Sequence, residues 1–375
     1  MSAEITGFAP ARFAAVKDAF AASFEAGAEL GARFTLVERG EVVLDLMGGW
    51  ADRARSRPFA ADTLTAVFSV TKAVAALMIA RLVDAGRLDY AQPVADVWPG
   101  FGQAGKAGVT VEQAISHQAG LPGFPEPMDP ALWADWDAIC ARLAAMPPMW
   151  PPGSTSGYHP VTVGYVVGEI FRRVDGRTIG RAFREDIGAP YGLDLWIGLP
   201  DGVEDRLSEL QRPGALPEFG EINDATRAAF LAPWSSAAGK AGAEYRRLEV
   251  PSTNGYATAE ALARLMGALA ADGWLDGGEI LSPALVAEMA RERIVGQDLV
   301  LPFVMSWGAG VMRNAPNFPW GPGAETFGHS GWGGACAFAD PERRLGGAYV
   351  MNRQGAALMG DARPKRLIEA AYAAL

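Results

Sequence analysis

FSVTKAVAALMIARLVDAGRLD, residues 68–89, places a serine and a lysine three positions apart at the start of an apolar helix. Side chains with this spacing lie on one face of a helix, so the Ser69 hydroxyl and the Lys72 amine can share a hydrogen bond. The run from Ala73 to Val83 is apolar on nearly every side, which predicts a buried helix. The segment therefore predicts a core helix that begins with a nucleophile and an amine.

Lys72 is in an unfavourable position for a cation. The positive end of the helix dipole opposes its charge and burial disfavours the charged form further, so both effects lower the pKa of the amine. An amine with a lowered pKa can act as a general base, and the Ser-x-x-Lys motif then indicates a serine hydrolase. The alternatives are a chance motif, or a lysine whose stem packs on the core while its ammonium reaches solvent.

Composition narrows the class of protein. A length of 375 residues predicts two domains, or one domain with a large insertion, and half of the residues are apolar. No apolar span reaches the ~18 residues of a membrane helix, and a net charge of −10 without clustered Lys and Arg argues against nucleic-acid binding. The N-terminus lacks a basic segment followed by an apolar one, so we expect no signal peptide and a cytoplasmic location.

The cysteines and histidines show no ligand pattern. Cys140 and Cys336 lie far apart between small or apolar neighbours, which predicts two buried thiols rather than a disulfide. His117, His159 and His329 have no metal-binding spacing, so we predict neither a metal nor a cofactor. For His117, a buried ring that donates to loop carbonyls is a better interpretation than a catalytic base. No G-x-S-x-G motif occurs, which argues against an α/β-hydrolase triad.

The order of predicted elements indicates an α+β fold, a mixed α/β architecture with an antiparallel sheet flanked by helices. Residues 32–52 form a predicted hairpin that turns at Arg39-Gly40, and residues 306–353 a late antiparallel meander that turns at Asp340-Pro341. Helices are predicted over residues 11–30, 69–86, 258–274, 282–296 and 364–375. We predict one sheet domain from residues 1–87 and 241–375, into which a mostly helical domain of residues 88–240 is inserted.

Tyr158 lies in WPPGSTSGYHPVTVGYVVGE, residues 150–169, between a Pro/Gly loop and a predicted helix. If a nearby lysine ammonium draws off its proton, the phenol oxygen can accept a proton from serine and pass it to a leaving group. The alternative is a hydrogen-bonded ring in the core.

GHSGWGG, residues 328–334, is so rich in glycine that a strand there would pack poorly. Glycine in a strand often marks a close approach of ligand to backbone, so an N–H group here can face a substrate oxygen. Together with the Ser69 N–H it would complete an oxyanion hole. The alternative is a bulge that lets Trp332 pack against a neighbour.

The ordered set of Ser69-Val70-Thr71-Lys72, Tyr158 and His329-Ser330-Gly331 resembles the serine β-lactamase and penicillin-binding-protein superfamily. It is most similar to the class C-like carboxylesterases called family VIII esterases, and the likeness runs nearly end to end. The resemblance implies a β-lactamase/transpeptidase-like fold with the active site between the sheet domain and the helical domain.

The resemblance also implies a role for each motif residue. Ser69 would be the acylated nucleophile, Lys72 would keep its hydroxyl activated, and Tyr158 would act as general base and then as general acid. The N–H groups of Ser69 and Trp332 would form the oxyanion hole. The other residues of the third motif would bind substrate: His329, Ser330, Gly331 and Gly333.

Two departures from the superfamily pattern favour an esterase. Tyr158-His159-Pro160 replaces Tyr-x-Asn, which removes an amide that would hold a β-lactam side-chain carbonyl or orient the lysine. A histidine at 329 replaces the lysine of Lys-Thr-Gly, so the fixed cation that would pair with a β-lactam carboxylate is at best a partly charged imidazole near neutral pH. A neutral ester needs neither group.

We therefore expect a serine carboxylesterase that hydrolyses short-chain esters through an acyl-enzyme on Ser69. Three alternatives stay open: a weak β-lactamase for reactive cephalosporins, an amide hydrolase or peptidase, and a sensor that is acylated once without turnover. The expected partner is a small-molecule ester rather than a nucleic acid or a membrane. The sequence leaves homo-oligomerisation open.

Overall fold

The structure is a computed structural model that describes residues 4–236, 243–316 and 320–375. These residues contain a nine-stranded antiparallel sheet and two smaller sheets. The strands are β1 (Ile5–Phe8), β2 (Gly31–Glu38), β3 (Glu41–Gly49), β4 (Thr65–Phe68), β5 (Leu195–Ile197), β6 (Gly255–Ala257), β7 (Trp274–Leu275), β8 (Gly278–Glu279), β9 (Ile294–Gln297), β10 (Val304–Trp307), β11 (Met312–Arg313), β12 (Phe327–Ser330), β13 (Cys336–Asp340) and β14 (Leu345–Met351).

The main sheet joins strands from both ends of the chain, as the sequence predicts. Its order is β1-β3-β2-β14-β13-β12-β11-β10-β9. β2 and β3 form the predicted hairpin, and its turn residues Arg39 and Gly40 have φ values of 53° and 85°. Two consecutive positive φ values give the twist that a two-residue hairpin turn requires. β14 of the late meander pairs with β2 and so joins the N-terminal strands to the C-terminal ones.

Helices flank this sheet and make up much of the middle of the chain. The helices are α1 (Ala14–Glu25), α2 (Thr71–Asp84), α3 (Val94–Val97), α4 (Val111–Ile115), α5 (Trp136–Ala145), α6 (Thr162–Asp175), α7 (Ile179–Phe183), α8 (Asp224–Thr226), α9 (Ala243–Arg247), α10 (Ala259–Ala270), α11 (Pro283–Ala290) and α12 (Ala362–Tyr372). α10 packs on β2 and β14, and α1 packs on α12. The predicted fold class is confirmed.

The apolar helix α2 is buried as predicted. All its residues from Thr71 to Ala80 are buried, and it packs against α6, α7 and α11. Gly86 follows the helix with a φ of 65°, a left-handed conformation that glycine adopts without a steric penalty at a helix C-terminus. α2 is therefore a rigid central support for the residues at its N-terminus.

One local prediction is wrong, and one small sheet was not predicted. The helix predicted over residues 282–296 ends at Ala290, and Ile294–Gln297 forms the edge strand β9 beside β10. The β-branched pair Ile294-Val295 and then Gly296 are weak helix formers, so pairing with β10 prevails there. A three-stranded sheet of order β4-β6-β5 was not predicted, and its strand β5 comes from the region predicted to be mostly helical.

The division into a sheet domain and a helical domain remains a prediction, and its boundary near residue 240 falls outside the described residues. Cys140 and Cys336 are both buried and free, which confirms the interpretation as core thiols. Within the described part of the chain, no helix combines the length and apolar character needed to cross a membrane.

Candidate active site

Ser69 follows a sharp turn between β4 and α2. Phe68, the last residue of β4, has a φ of 48°, which is rare for a bulky residue, and the pairing of β4 with β6 shifts register just before it. The hydroxyl of Thr71 donates to the Phe68 carbonyl and fixes the turn. Backbone strain of this kind persists only where the surroundings enforce it. The turn places Ser69 at the N-terminal end of α2, on the wall of a cleft.

The structure brings the three residues of the first two motifs together. Ser69 Oγ lies 3.1 Å from Lys72 Nζ and accepts a 2.7 Å hydrogen bond from the hydroxyl of Tyr158. Lys72 Nζ also lies 4.8 Å from the centre of the Tyr158 ring. One serine hydroxyl therefore contacts two groups that can exchange protons with it.

Backbone carbonyls hold the Lys72 amine. Its Nζ donates to the carbonyl oxygens of Pro160 and Ser252, each at 2.8 Å. The side chain is buried, and no carboxylate pairs with it among the described residues. Burial therefore lowers the pKa of Lys72 well below its ordinary value. The missing amide of the Tyr-x-Asn motif is replaced by backbone oxygens, which any residue type supplies and which sequence reasoning missed.

Burial, rather than the number of hydrogen-bond donors, favours the neutral form of the Lys72 amine, because three acceptors surround Nζ: the Pro160 and Ser252 carbonyls and Ser69 Oγ. A neutral amine has two N–H donors and one lone pair, and the carbonyls of Pro160 and Ser252 take both donors. In that form the lone pair faces Ser69 Oγ, from which it can accept the hydroxyl proton. Burial is also the largest effect on Tyr158, where it raises the pKa of the phenol. This corrects the expected phenolate: a buried site disfavours both charges, so Tyr158 keeps its proton at rest.

A buried acid that sequence reasoning missed holds Tyr158 in place. One carboxylate oxygen of Asp298 accepts hydrogen bonds from the N–H groups of Tyr158, Val300 and Leu301 at 2.8 to 3.0 Å, and the other accepts from the Ser156 hydroxyl at 2.9 Å. No motif marks this residue in the sequence. Asp298 thus ties the loop that carries the phenol to the segment after β9.

The three histidines gather around Tyr158. The ring centres of His117 and His329 lie 4.8 and 6.2 Å from that of Tyr158, and His159 lies 5.4 Å from His117. His117 is buried as expected, but its Nδ1 accepts from the His159 N–H instead of donating to loop carbonyls. Burial lowers the pKa of His159 and of His329 to about 3. The ring at 329 is therefore enclosed and neutral, which agrees with the expectation of at most a partial charge there.

The third motif is a strand followed by a turn. β12 ends at Ser330, and residues 331–334 form a turn in which the Gly331 N–H donates to Ala335 O at 2.6 Å. A Cβ on Gly331 would lie 2.3 Å from the Val67 carbonyl, so only glycine fits against β4. Among hydrogen bonds between described residues, none uses the N–H of Ser69 or of Trp332. Both residues line the same cleft, which is the arrangement that an oxyanion hole requires.

The cleft has a volume of about 1370 Å³ and a mixed lining. Ser69, Tyr158, Ser330 and Trp332 are among its lining residues. Several apolar side chains line it as well: Leu210, Leu216, Phe230, Leu301, Leu358 and Met359.

Three predicted substrate-binding residues do not line the cleft. His329 is enclosed beneath it, Gly331 packs against β4, and Gly333 packs against Gln354. These residues belong to the third motif, but the pleat of β12 and the turn after it direct them away from the open volume of the cleft.

Comparisons with known proteins agree with this fold. A family model described as Beta-lactamase matches residues 16–372. A solved penicillin-binding protein homologue from Caulobacter crescentus is 67% identical with a TM-score of 0.97, and the match covers 99% of this chain and 100% of that one. A solved family VIII carboxylesterase is 42% identical with a TM-score of 0.93 and the same coverage. The esterase/beta-lactamase LipL of Mycobacterium tuberculosis is 35% identical over 93% of this chain and 83% of that protein.

Proposed function

The chain belongs to the beta-lactamase family, and we propose that it is a serine carboxylesterase that hydrolyses short-chain esters through an acyl-enzyme on Ser69. One observation carries the proposal: Ser69 Oγ lies at an open cleft between Lys72 Nζ and the Tyr158 hydroxyl. The similarity to a family VIII carboxylesterase supports ester hydrolysis as the reaction class.

In the acylation half, Ser69 Oγ attacks the ester carbonyl carbon and its proton passes to the neutral Lys72 amine. The N–H groups of Ser69 and Trp332 stabilise the oxyanion of the tetrahedral intermediate, a contribution of roughly 3 kcal/mol for each donor. The C–O bond to the alcohol then breaks, and the leaving oxygen takes the proton of Tyr158. The new lysine ammonium stabilises the phenolate, since Nζ lies 4.8 Å from the ring centre.

In the deacylation half, the Tyr158 phenolate accepts a proton from a water molecule as that water attacks the acyl carbonyl. The same two N–H groups stabilise the second oxyanion. When the bond to Ser69 breaks, Oγ takes back its proton from the Lys72 ammonium. The products are an acid and an alcohol, and all three side chains regain their initial protonation states.

The electrostatics of the site support a neutral substrate. His329 occupies the position of the superfamily lysine but is uncharged, because burial lowers its pKa to about 3. Pro160 offers Lys72 a carbonyl but has no side-chain amide for a β-lactam side chain. An ester without a charged group needs neither function.

A weak β-lactamase activity is the second candidate. The name of the relative LipL includes this activity together with esterase activity. An acyl-enzyme site can accept a strained amide, so reactive cephalosporins are the substrates to test. Amide hydrolysis and single acylation without turnover would use the same three side chains. They differ from ester hydrolysis in the relative rates of acylation and deacylation.

Steady-state assays with p-nitrophenyl butyrate, nitrocefin and butyryl p-nitroanilide test the proposal. We expect kcat/KM to be highest for the ester, lower for nitrocefin and lowest for the anilide, and Ser69→Ala to abolish turnover of all three. A higher kcat/KM for nitrocefin would favour the β-lactamase, and a higher value for the anilide would favour the amide hydrolase. Full ester turnover by Ser69→Ala would remove Ser69 from the mechanism.

A further inference from the structure

A buried arginine outside the cleft contacts the turn that contains Trp332. Arg363 lies in the first turn of α12, and only 7% of its side chain is exposed. Its Nη2 donates a 2.8 Å hydrogen bond to the carbonyl oxygen of Gly333, the residue after Trp332. Arg363 is not among the residues that line the cleft. Any effect that it has on the reaction must therefore pass through the turn.

The guanidinium of Arg363 is fixed on its other sides. Nε and Nη2 form a two-point ion pair with the Asp361 carboxylate at 2.9 and 2.8 Å. Nη1 donates to the Glu29 carboxylate at 3.0 Å and to the Arg353 carbonyl at 2.8 Å. A planar guanidinium held at both edges has little rotational freedom. The N–H that points at Gly333 therefore has a defined direction.

The turn itself depends on contacts from outside. Inside it, the Gly334 N–H donates to Gly331 O at a long 3.2 Å. The Gly333 carbonyl accepts a second hydrogen bond, from the Gly355 N–H at 2.8 Å, and the Trp332 carbonyl accepts a weak one from Gln354 at 3.4 Å. The bond from Arg363 is the one with a charged donor, and charge-assisted bonds are about twice as strong as neutral ones.

We propose that Arg363 is a positioning residue of the oxyanion hole, which orients the Trp332 N–H by holding the Gly333 carbonyl from behind the turn. The inference rests on the proposed function. An oxyanion donor contributes fully only when it lies about 2.7 to 3.1 Å from the developing charge. Without the hydrogen bond from Arg363, the turn holds the Trp332 N–H over a wider range of positions. This destabilises the transition state more than it destabilises the bound substrate.

The variant Arg363→Lys tests this role, because a lysine cannot hold Asp361 at two points and also reach Gly333. With p-nitrophenyl butyrate we expect kcat to fall roughly 10- to 100-fold while KM changes less than about twofold, since the full loss of a donor costs roughly 10²- to 10³-fold. Butylboronic acid adds to the serine as a tetrahedral adduct whose oxygen occupies the oxyanion hole. Its inhibition constant should rise by the same factor as kcat falls.

Arg33→Lys is the matched control. Arg33 is equally buried and is paired with Asp45 and Glu260, but it does not contact the turn. This variant should lose stability while it keeps the wild-type kcat and boronate affinity. If the Arg363→Lys variant does not fold, the Asp361→Asn variant is tested instead. This change loosens the Arg363 guanidinium but keeps the hydrogen bond from Arg363 to Gly333. We expect a smaller fall in kcat with the same parallel loss of boronate affinity.

The inference would be overturned if the folded Arg363→Lys variant, or Asp361→Asn tested instead, kept the wild-type kcat and boronate affinity. A rise in KM alone would also overturn it, because that pattern indicates a binding role. A wild-type protein that neither hydrolyses the ester nor binds the boronate would overturn the proposed function as well, so the two failures are distinguishable.

Discussion

The carbonyl oxygen of Pro160 accepts a 2.8 Å hydrogen bond from Lys72 Nζ, at the third position of the motif that begins with Tyr158. A backbone group therefore performs the task of a side-chain amide. Together with the Ser252 carbonyl it holds the amine without supplying a negative charge. Burial lowers the pKa of Lys72 in this arrangement, and the neutral amine, with both N–H groups on the two carbonyls, has its lone pair free for Ser69.

The pH dependence of ester hydrolysis should follow the Lys72 amine. Only the neutral amine accepts the Ser69 proton, so kcat/KM should rise as pH increases through the Lys72 pKa, which burial lowers well below its ordinary value. Lys72→Arg, whose guanidinium does not lose its proton, should reduce kcat/KM by roughly 10³-fold or more. A pH–rate profile measured with p-nitrophenyl butyrate checks both points. A wild-type kcat/KM that falls between about pH 5 and pH 8 would contradict the role of the neutral amine.

Removing the Tyr158 hydroxyl should affect poor leaving groups most. Tyr158→Phe removes the proton that the alkoxide takes, so kcat/KM for ethyl butyrate, which reports the acylation half, should fall roughly 10²- to 10⁴-fold. The loss for p-nitrophenyl butyrate should be smaller, because nitrophenolate leaves without protonation. Tyr165→Phe is the control, since this buried phenol bonds to the Trp133 carbonyl instead of Ser69. If Tyr158→Phe hydrolysed both esters at near-wild-type rates, Tyr158 would have only a packing role.

Asp298 should be required for both stability and turnover. Asp298→Ala leaves the N–H groups of Tyr158, Val300 and Leu301 without their shared acceptor, and each unsatisfied buried group costs about 1–3 kcal/mol. Asp298→Asn keeps an acceptor oxygen and should be less destabilising. Urea unfolding together with kcat measures the effect. An alanine variant that matches the wild type in both quantities would show that the loop holds Tyr158 without this carboxylate.

The buried histidines should make the protein sensitive to acid. The folded-state pKa values of His159 and His329, about 3, lie below the ordinary 6.5, so their contribution to stability is complete above pH 6.5 and decreases as pH falls towards 3. Each ring should change the free energy of unfolding by about 1.4 kcal/mol per pH unit in this window. Urea titrations at several pH values give the slope of the free energy of unfolding against pH. In His159→Gln this slope should be smaller by about 1.4 kcal/mol per pH unit, the contribution of one ring. An unchanged slope would mean that His159 is already protonated in the folded protein.

Elements with a strong local pattern could be predicted from the sequence. The apolar run of α2 and the two strands on either side of Arg39-Gly40 are largely buried, as their apolar sequences indicate. The sheet of β4, β5 and β6 could not be predicted, because three short strands from distant segments show no periodicity. Pairing between such segments is decided by the tertiary structure.

The same limit applies within the candidate site. Ser69, Lys72 and Tyr158 have recognisable motifs, whereas the carbonyls of Pro160 and Ser252 have none. Asp298 resembles any other loop acid in the sequence. The charge states of Tyr158 and His329 depend on burial, which the sequence does not specify residue by residue.

The acyl-enzyme on Ser69 is the central claim, and a stopped-flow time course with p-nitrophenyl butyrate tests it most directly. We predict a burst of nitrophenolate that approaches one equivalent per protein, followed by steady turnover, with both phases absent in Ser69→Ala. One equivalent released without subsequent turnover would contradict an esterase and indicate a protein that is acylated once. Turnover that persists in Ser69→Ala would contradict the acyl-enzyme itself.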